Sequence, residues 1–226
     1  MKTTNHSSCK LIISIFLQIL FTLHVSAQEV VSESKSNNNL PFTIKKGLEL
    51  TYEVTKNKTD YESLTFNKKP DYNFIVKFTE VSPTRVSFNW KMTQPINYSG
   101  KITMLEKALT KATVLYNYFQ DQSNEILIDQ TSVLLSKYVF NYMLLTDELQ
   151  LDFGKGLVTL TKASVRLPGY LMDVNNRTVS LPDEKNYEFE NTTENLRIEF
   201  SKIEDYILIL FMRTYDFSIS LRKATF

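Results

Sequence analysis

The sequence predicts a mainly β fold, with α+β as the alternative: an antiparallel β-sandwich or a curved half-barrel of about nine to eleven strands with one or two packed helices. Three observations carry this expectation. Apolar and polar residues alternate at period two through Leu48–Thr55 and again through residues 72–104, the mark of half-buried antiparallel strands. Pro83 and Pro95 fall between the alternating runs, where a missing N–H costs nothing. Only the stretch 105–119 keeps a sustained helical period.

The chain opens with a segment that reads as a secretory signal peptide, residues 1–27. Lys2 and Lys10 precede the apolar run Leu11–Leu23, and Val25-Ser26-Ala27 supplies small residues for cleavage before Gln28. That apolar run is 13 residues long, whereas a bilayer-spanning helix takes about 20. Cleavage is therefore expected in place of anchoring, leaving no membrane span in the mature chain. Cys9 lies before the run, not after it, so no lipid anchor is read there. Residues 28–41 are polar and aperiodic, a flexible leader, and a single domain is expected over 42–226.

Within that domain, Leu48, Leu50, Tyr52 and Val54 share one face of the first strand. Residues 56–70 form a polar connection. A three-stranded meander follows, with inward faces Tyr72-Phe74-Val76-Phe78, Val86-Phe88-Trp90-Met92 and Tyr98-Gly100-Ile102-Met104. From Leu105 the period changes: Leu105, Ala108, Leu109, Ala112, Leu115, Tyr116 and Phe119 form one stripe of an amphipathic helix, expected to cover a sheet face. Glu125–Asp129 reads as a strand, and Ser136 as the cap of a short helix through Leu145. Leu149–Phe153 and Leu157–Thr161 form a hairpin turned by Gly154-Lys155-Gly156. Residues 163–185 carry Pro168-Gly169, Asn175-Asn176 and Pro182-Asp183 and read as loop-rich. Three final strands run through Leu196–Phe200, Tyr206–Met212 and Phe217–Leu221. The middle one is apolar on both faces and is expected to be covered on both sides.

The composition then excludes chemistry. The chain has 26 Lys+Arg against 25 Asp+Glu, which argues against nucleic acid held by bulk charge. Its single Cys and two His, Cys9, His6 and His24, all lie in the expected signal peptide. The mature chain would then hold neither thiol nor imidazole. No disulfide, Ser-His-Asp triad, Cys-His nucleophile or ordinary zinc site can be built from it. No GxGxxG or GxxxxGK[ST] motif and no DxDxDG loop occurs. No cofactor and no metal site is expected.

Carboxylates and aromatics remain. The carboxylate candidates are Asp147 with Glu148, Glu188 with Glu190, Glu199, and Glu204 with Asp205. A glycosidase needs a facing pair, and the spacing singles none out. Glu188 and Glu190 read as a solvated strand face, and Asp121–Glu125 as a polar loop. The candidate ligand-binding residues are Phe74, Phe78, Trp90, Leu109 and Phe119, which would line a cavity if the 105–119 helix sits inside a curved sheet. Tyr116, Tyr118, Tyr170, Tyr187 and Tyr215 are weaker candidates for a sugar or lipid surface. Asn57, Asn97, Asn176 and Asn191 head Asn-x-Ser/Thr triplets, glycosylation acceptors only in a eukaryotic secretory pathway.

The stretch Val86–Met104, followed by Lys107-Ala-Leu, Tyr116-Asn-Tyr-Phe119 and Thr131–Lys137, resembles uncharacterised exported β-rich proteins of Gram-negative bacteria, over about residues 44–223. The resemblance implies export and a β-rich fold, and no activity. The expected function is an exported, periplasmic or extracellular, non-enzymatic protein that binds a hydrophobic or glycan ligand or a cell-envelope partner. The alternatives are a structural or interaction module without a small-molecule site, and a carboxylate-dependent hydrolase.

Overall fold

Alternation becomes strand throughout the N-terminal half. The computed structural model describes residues 42–57, 71–93, 95, 97–117, 119–164, 171–180 and 186–226. They belong to a unit running from Asn39 to Phe226. The expected signal peptide and leader lie outside the described residues, as do most of the 56–70 connection, Tyr118 and Tyr170.

Strand β1 (Glu49–Lys56) buries Leu50, Tyr52 and Val54, with Leu48 buried just before it. It is followed by β2 (Tyr72–Ser82), β3 (Arg85–Met92) and β4 (Ser99–Leu105), the expected antiparallel meander. Each strand turns its apolar set to one side, as period two requires. Gly100 in β4 answers a close approach: a Cβ there would lie 2.5 Å from the Ser123 carbonyl oxygen and 2.8 Å from two ring carbons of Trp90. Only a glycine lets the indole lie against this backbone.

The amphipathic helix expected over 105–119 is much shorter. Helix α1 spans Glu106–Lys111 and buries Ala108 and Leu109. At Ala112 the backbone turns extended (φ −63°, ψ 137°). Beyond it, Thr113-Val114 is β-branched, and sheet partners are at hand. β5 (Val114–Leu115) pairs parallel with β7 (Gln130–Thr131), and Tyr116 N–H donates to the Thr131 carbonyl at 2.6 Å. Tertiary pairing overrides the helical stripe.

Between them, β6 (Ser123–Leu127) lies parallel to β4, so the expected strand at 125–129 begins two residues early. After β8 (Leu134–Leu135) comes α2 (Lys137–Thr146). Ser136 caps it as expected: its Oγ accepts from Val139 N–H at 3.3 Å and donates to the Ala112 carbonyl at 2.6 Å. Val139, Phe140 and Met143 are buried, and Asp147 closes the helix in the left-handed region.

β9 (Glu148–Asp152) and β10 (Leu157–Lys162) form the expected hairpin. Asp152 Oδ1 accepts from both Gly154 N–H and Gly156 N–H, fixing the turn. The loop-rich stretch contains a further hairpin, β11 (Leu171–Val174) with β12 (Arg177–Ser180). Its two-residue turn, Asn175-Asn176, has both residues at positive φ, the geometry asparagine tolerates best after glycine. The chain ends with β13 (Asn186–Asn191), β14 (Leu196–Ile203), β15 (Tyr206–Arg213) and β16 (Phe217–Thr225). In β15, Ile207 through Leu210 are all buried, as its two apolar faces require.

Sixteen strands are thus described, more than expected, because three are two-residue bridges and β11 to β13 add to the count. All belong to one sheet, ordered β6-β4-β3-β2-β1-β16-β15-β14-β13-β10-β9-β5-β7, with β8, β11 and β12 joined to its side. It curls into a nearly closed barrel-like form, the curved arrangement and not the sandwich. Among the described residues no helix is long and apolar enough to cross a membrane.

Candidate functional site

The register gathers apolar side chains at one end of this sheet. Met212 pairs with Ile219, Ile219 with Val54, and Val54 with Tyr72, so four adjacent strands contribute one continuous row. Phe74, two residues along β2, pairs with Met92 at the end of β3. Met92 N–H donates to the Tyr98 carbonyl at 2.7 Å, which brings Tyr98 alongside. The extended segment after α1 supplies Leu115, Tyr116, Asn117 and Phe119, and the β7–β8 connection supplies Ser132 and Val133.

Together with Phe217, these residues line a cavity of about 260 Å³. A dry cavity of about 150 Å³ already takes up benzene, so this one has room for a small apolar molecule or part of a longer chain. Val54, Phe74, Met92, Leu115, Val133, Met212 and Ile219 are buried and form its apolar wall. Tyr98, 42 % exposed, marks where it meets solvent. Its polar atoms come from Tyr72, Tyr98, Tyr116, Asn117 and Ser132, all uncharged groups at neutral pH. Burial raises the Tyr72 phenol above its usual pKa, and the neighbouring Asp71 adds to the effect, so it remains protonated.

Aromatic contacts stiffen one wall. The Phe119 ring lies 4.8 Å from Phe74, 5.2 Å from Trp90 and 5.5 Å from Tyr116, centroid to centroid. Such tilted and edge-on pairs hold rings in place beyond what their area contributes.

The neighbouring turns are braced too. Lys56 N–H donates to Asp71 Oδ2 at 2.6 Å, joining the end of β1 to the start of β2. Asn57 Nδ2 donates to the Thr214 carbonyl at 2.7 Å, holding the β15–β16 turn beside Phe217. In that turn the Tyr215 hydroxyl donates to Glu194, and Lys155 Nζ stands 4.1 Å from the Tyr215 ring centre. The Glu194 bond, then burial and nearby charge, push the Tyr215 phenol up to about 12.

Of the five candidate residues, Phe74 and Phe119 line the cavity. Trp90 stands behind them, its ring 6.2 Å from Phe74. Phe78 lies deeper along β2, packed on Phe88 at 5.9 Å, and Leu109 is buried on α1. Neither reaches the lining: Phe78 stands four residues further along β2 than Phe74, and Leu109 stays with α1, which ends before Phe119. Met212, Phe217, Ile219, Ser132 and Val133 had no local signal as a group. The pairing of β16 with β1 and β15 brings Met212, Phe217 and Ile219 to Phe74, and the pairing of β8 with β15, extended by Ile209 N–H donating to the Val133 carbonyl at 3.0 Å, brings Ser132 and Val133.

The carboxylates are dispersed or already engaged. Glu188 and Glu190 do not form a solvated face: both ion-pair with Arg197 on β14, whose side chain is 17 % exposed. Burial, then nearby Arg213, lowers the Arg197 pKa, though a guanidinium keeps its charge at neutral pH. Asp147 ends α2, and Glu204 occupies a turn at positive φ. Among the described residues, no group of three His, Cys, Asp or Glu is placed to hold a metal ion. Two of the Asn-x-Ser/Thr asparagines, Asn57 and Asn191, spend their amides on backbone carbonyls.

No family model matches the chain, and no curated protein and no solved structure does.

Proposed function

We propose that this is an exported, non-enzymatic protein that binds a small apolar ligand at one end of its barrel-like sheet. The observation that carries the reading is the cavity of about 260 Å³ walled by buried aliphatic and aromatic side chains. An apolar concave wall that opens to solvent and is held by braced turns suits a ligand with an apolar surface. The glycan version is weaker, because a sugar presents many hydroxyls and the wall offers few partners. The hydrolase reading loses one of its candidate pairs, since one guanidinium holds Glu188 and Glu190 together. Export rests on the charge, apolar and small-residue pattern of residues 1–27.

Native mass spectrometry of protein purified from its own envelope tests both parts. The expected spectrum contains a chain beginning at Gln28 with a non-covalent apolar adduct. A bare chain that also takes up no neutral hydrophobic fluorophore overturns the binding reading. An intact N-terminus at Met1 overturns the export reading.

A further inference from the structure

We propose that the cavity selects uncharged ligands and discriminates against anionic amphiphiles such as fatty-acid carboxylates; this rests on the apolar-ligand reading above. Of the described residues that line the cavity, none is Lys, Arg, His, Asp or Glu. Its polar atoms belong to phenols, one amide and one hydroxyl, which pair with alcohol, ester or ketone oxygens and neutralise no charge. An ion drawn in among them would lose hydration and find no counter-ion.

The surroundings add no charge of one sign. Asp71 is the chain neighbour of Tyr72, and its carboxylate is fixed by the Lys56 N–H. Asp121 Oδ1 accepts from Ser99 N–H at 2.9 Å, next to Tyr98. Asp216 adjoins Phe217. Lys91 precedes Met92 and Arg213 follows Met212, so charges of both signs border lining residues. With both signs present outside the lining, neither an anionic nor a cationic head has a charged partner inside it. The ligand class that fits the wall is a neutral molecule with an apolar body and one hydrogen-bonding oxygen.

Displacement of the neutral fluorophore N-phenylnaphthylamine from the purified protein tests this. Decanol, decanoate and decyltrimethylammonium share a chain and differ in head charge. At neutral pH decanol should displace the probe at a concentration about tenfold lower than decanoate, and lower than decyltrimethylammonium. Decanoate equal to or better than decanol overturns the selection while leaving the cavity reading intact. A better cationic ligand overturns it in favour of recognition by carboxylates outside the lining. If the fluorophore does not bind, or no chain displaces it, the cavity reading fails and takes this inference with it.

Discussion

Two residues show how single side chains set the local physics. Gly100 is needed for space and not for an unusual φ: strand β4 passes so close to Trp90 and Ser123 that a methyl group has nowhere to go. Gly100→Ala should therefore destabilise the protein by about 1–3 kcal/mol, the usual cost of overpacking. Urea unfolding followed by the fluorescence of Trp90, the single tryptophan, measures it directly. An unchanged midpoint would mean that the two strands separate freely. Tyr215 makes a different prediction. Its phenol stands at about 12 in the folded protein, against about 10 for an unfolded tyrosine. The folded state thus holds the proton more tightly. Its hydroxyl bond to Glu194 contributes fully below about pH 10 and is lost as pH rises through about 12. Difference absorbance between the protein and a Tyr215→Phe variant should show one phenol titrating near 12. Glu194→Gln should bring that midpoint back toward 10, and a midpoint indifferent to Glu194 would assign the shift to something else.

At the scale of elements, Ser136 ties the extended segment after α1 to the start of α2, because one hydroxyl accepts from Val139 and donates to Ala112. Ser136→Ala removes a cap and leaves a buried carbonyl unpaired, so a loss of about 1–2 kcal/mol is expected by chemical denaturation. A loss under half of that would show that α2 stands without its cap. This junction also explains what the sequence discloses and what it hides. The meander β2–β4, the β9–β10 hairpin and the doubly buried β15 are written locally, as period two, paired glycines and unbroken apolar runs. The β11–β12 hairpin was hidden by polarity: of its residues only Met172 and Val174 are buried, and its Asn175-Asn176 turn sits between loop signals. The helical stripe misled because Ala112, Leu115, Tyr116 and Phe119 are apolar at intervals that fit either a helix or a strand with a bend. The choice is made by β7 and β9, which lie further along the chain and offer backbone partners. The parallel pairings β4–β6 and β11–β16 have no local signature at all. The same division runs through the site. Phe74 is legible as an inward strand position, whereas its companions Met212 and Ile219 reach it only through long-range register.

At the scale of the molecule, the cavity sits where the first and last strands meet, since β1 pairs with β16 along almost its whole length. Any molecule bound there touches residues from the first and last strands, and binding should stabilise the nearly closed sheet by mass action. This gives a way to separate a working cavity from a tolerated void. Ile219 is 7 % exposed and lies in the row with Val54 and Met212. Ile219→Phe adds a ring on the cavity side, where space is available. In a close-packed core such an enlargement costs about 1–3 kcal/mol. Here the ring should enter the empty volume, so stability should change by less than about 1 kcal/mol while uptake of N-phenylnaphthylamine falls at least about tenfold. Thermal unfolding with and without saturating decanol supplies the second half of the test. Decanol should raise the melting temperature of the parent protein and leave that of Ile219→Phe unmoved. A variant that is strongly destabilised would show the volume to be already filled by neighbouring side chains. A variant that is stable and still binds would place the ligand elsewhere on the sheet.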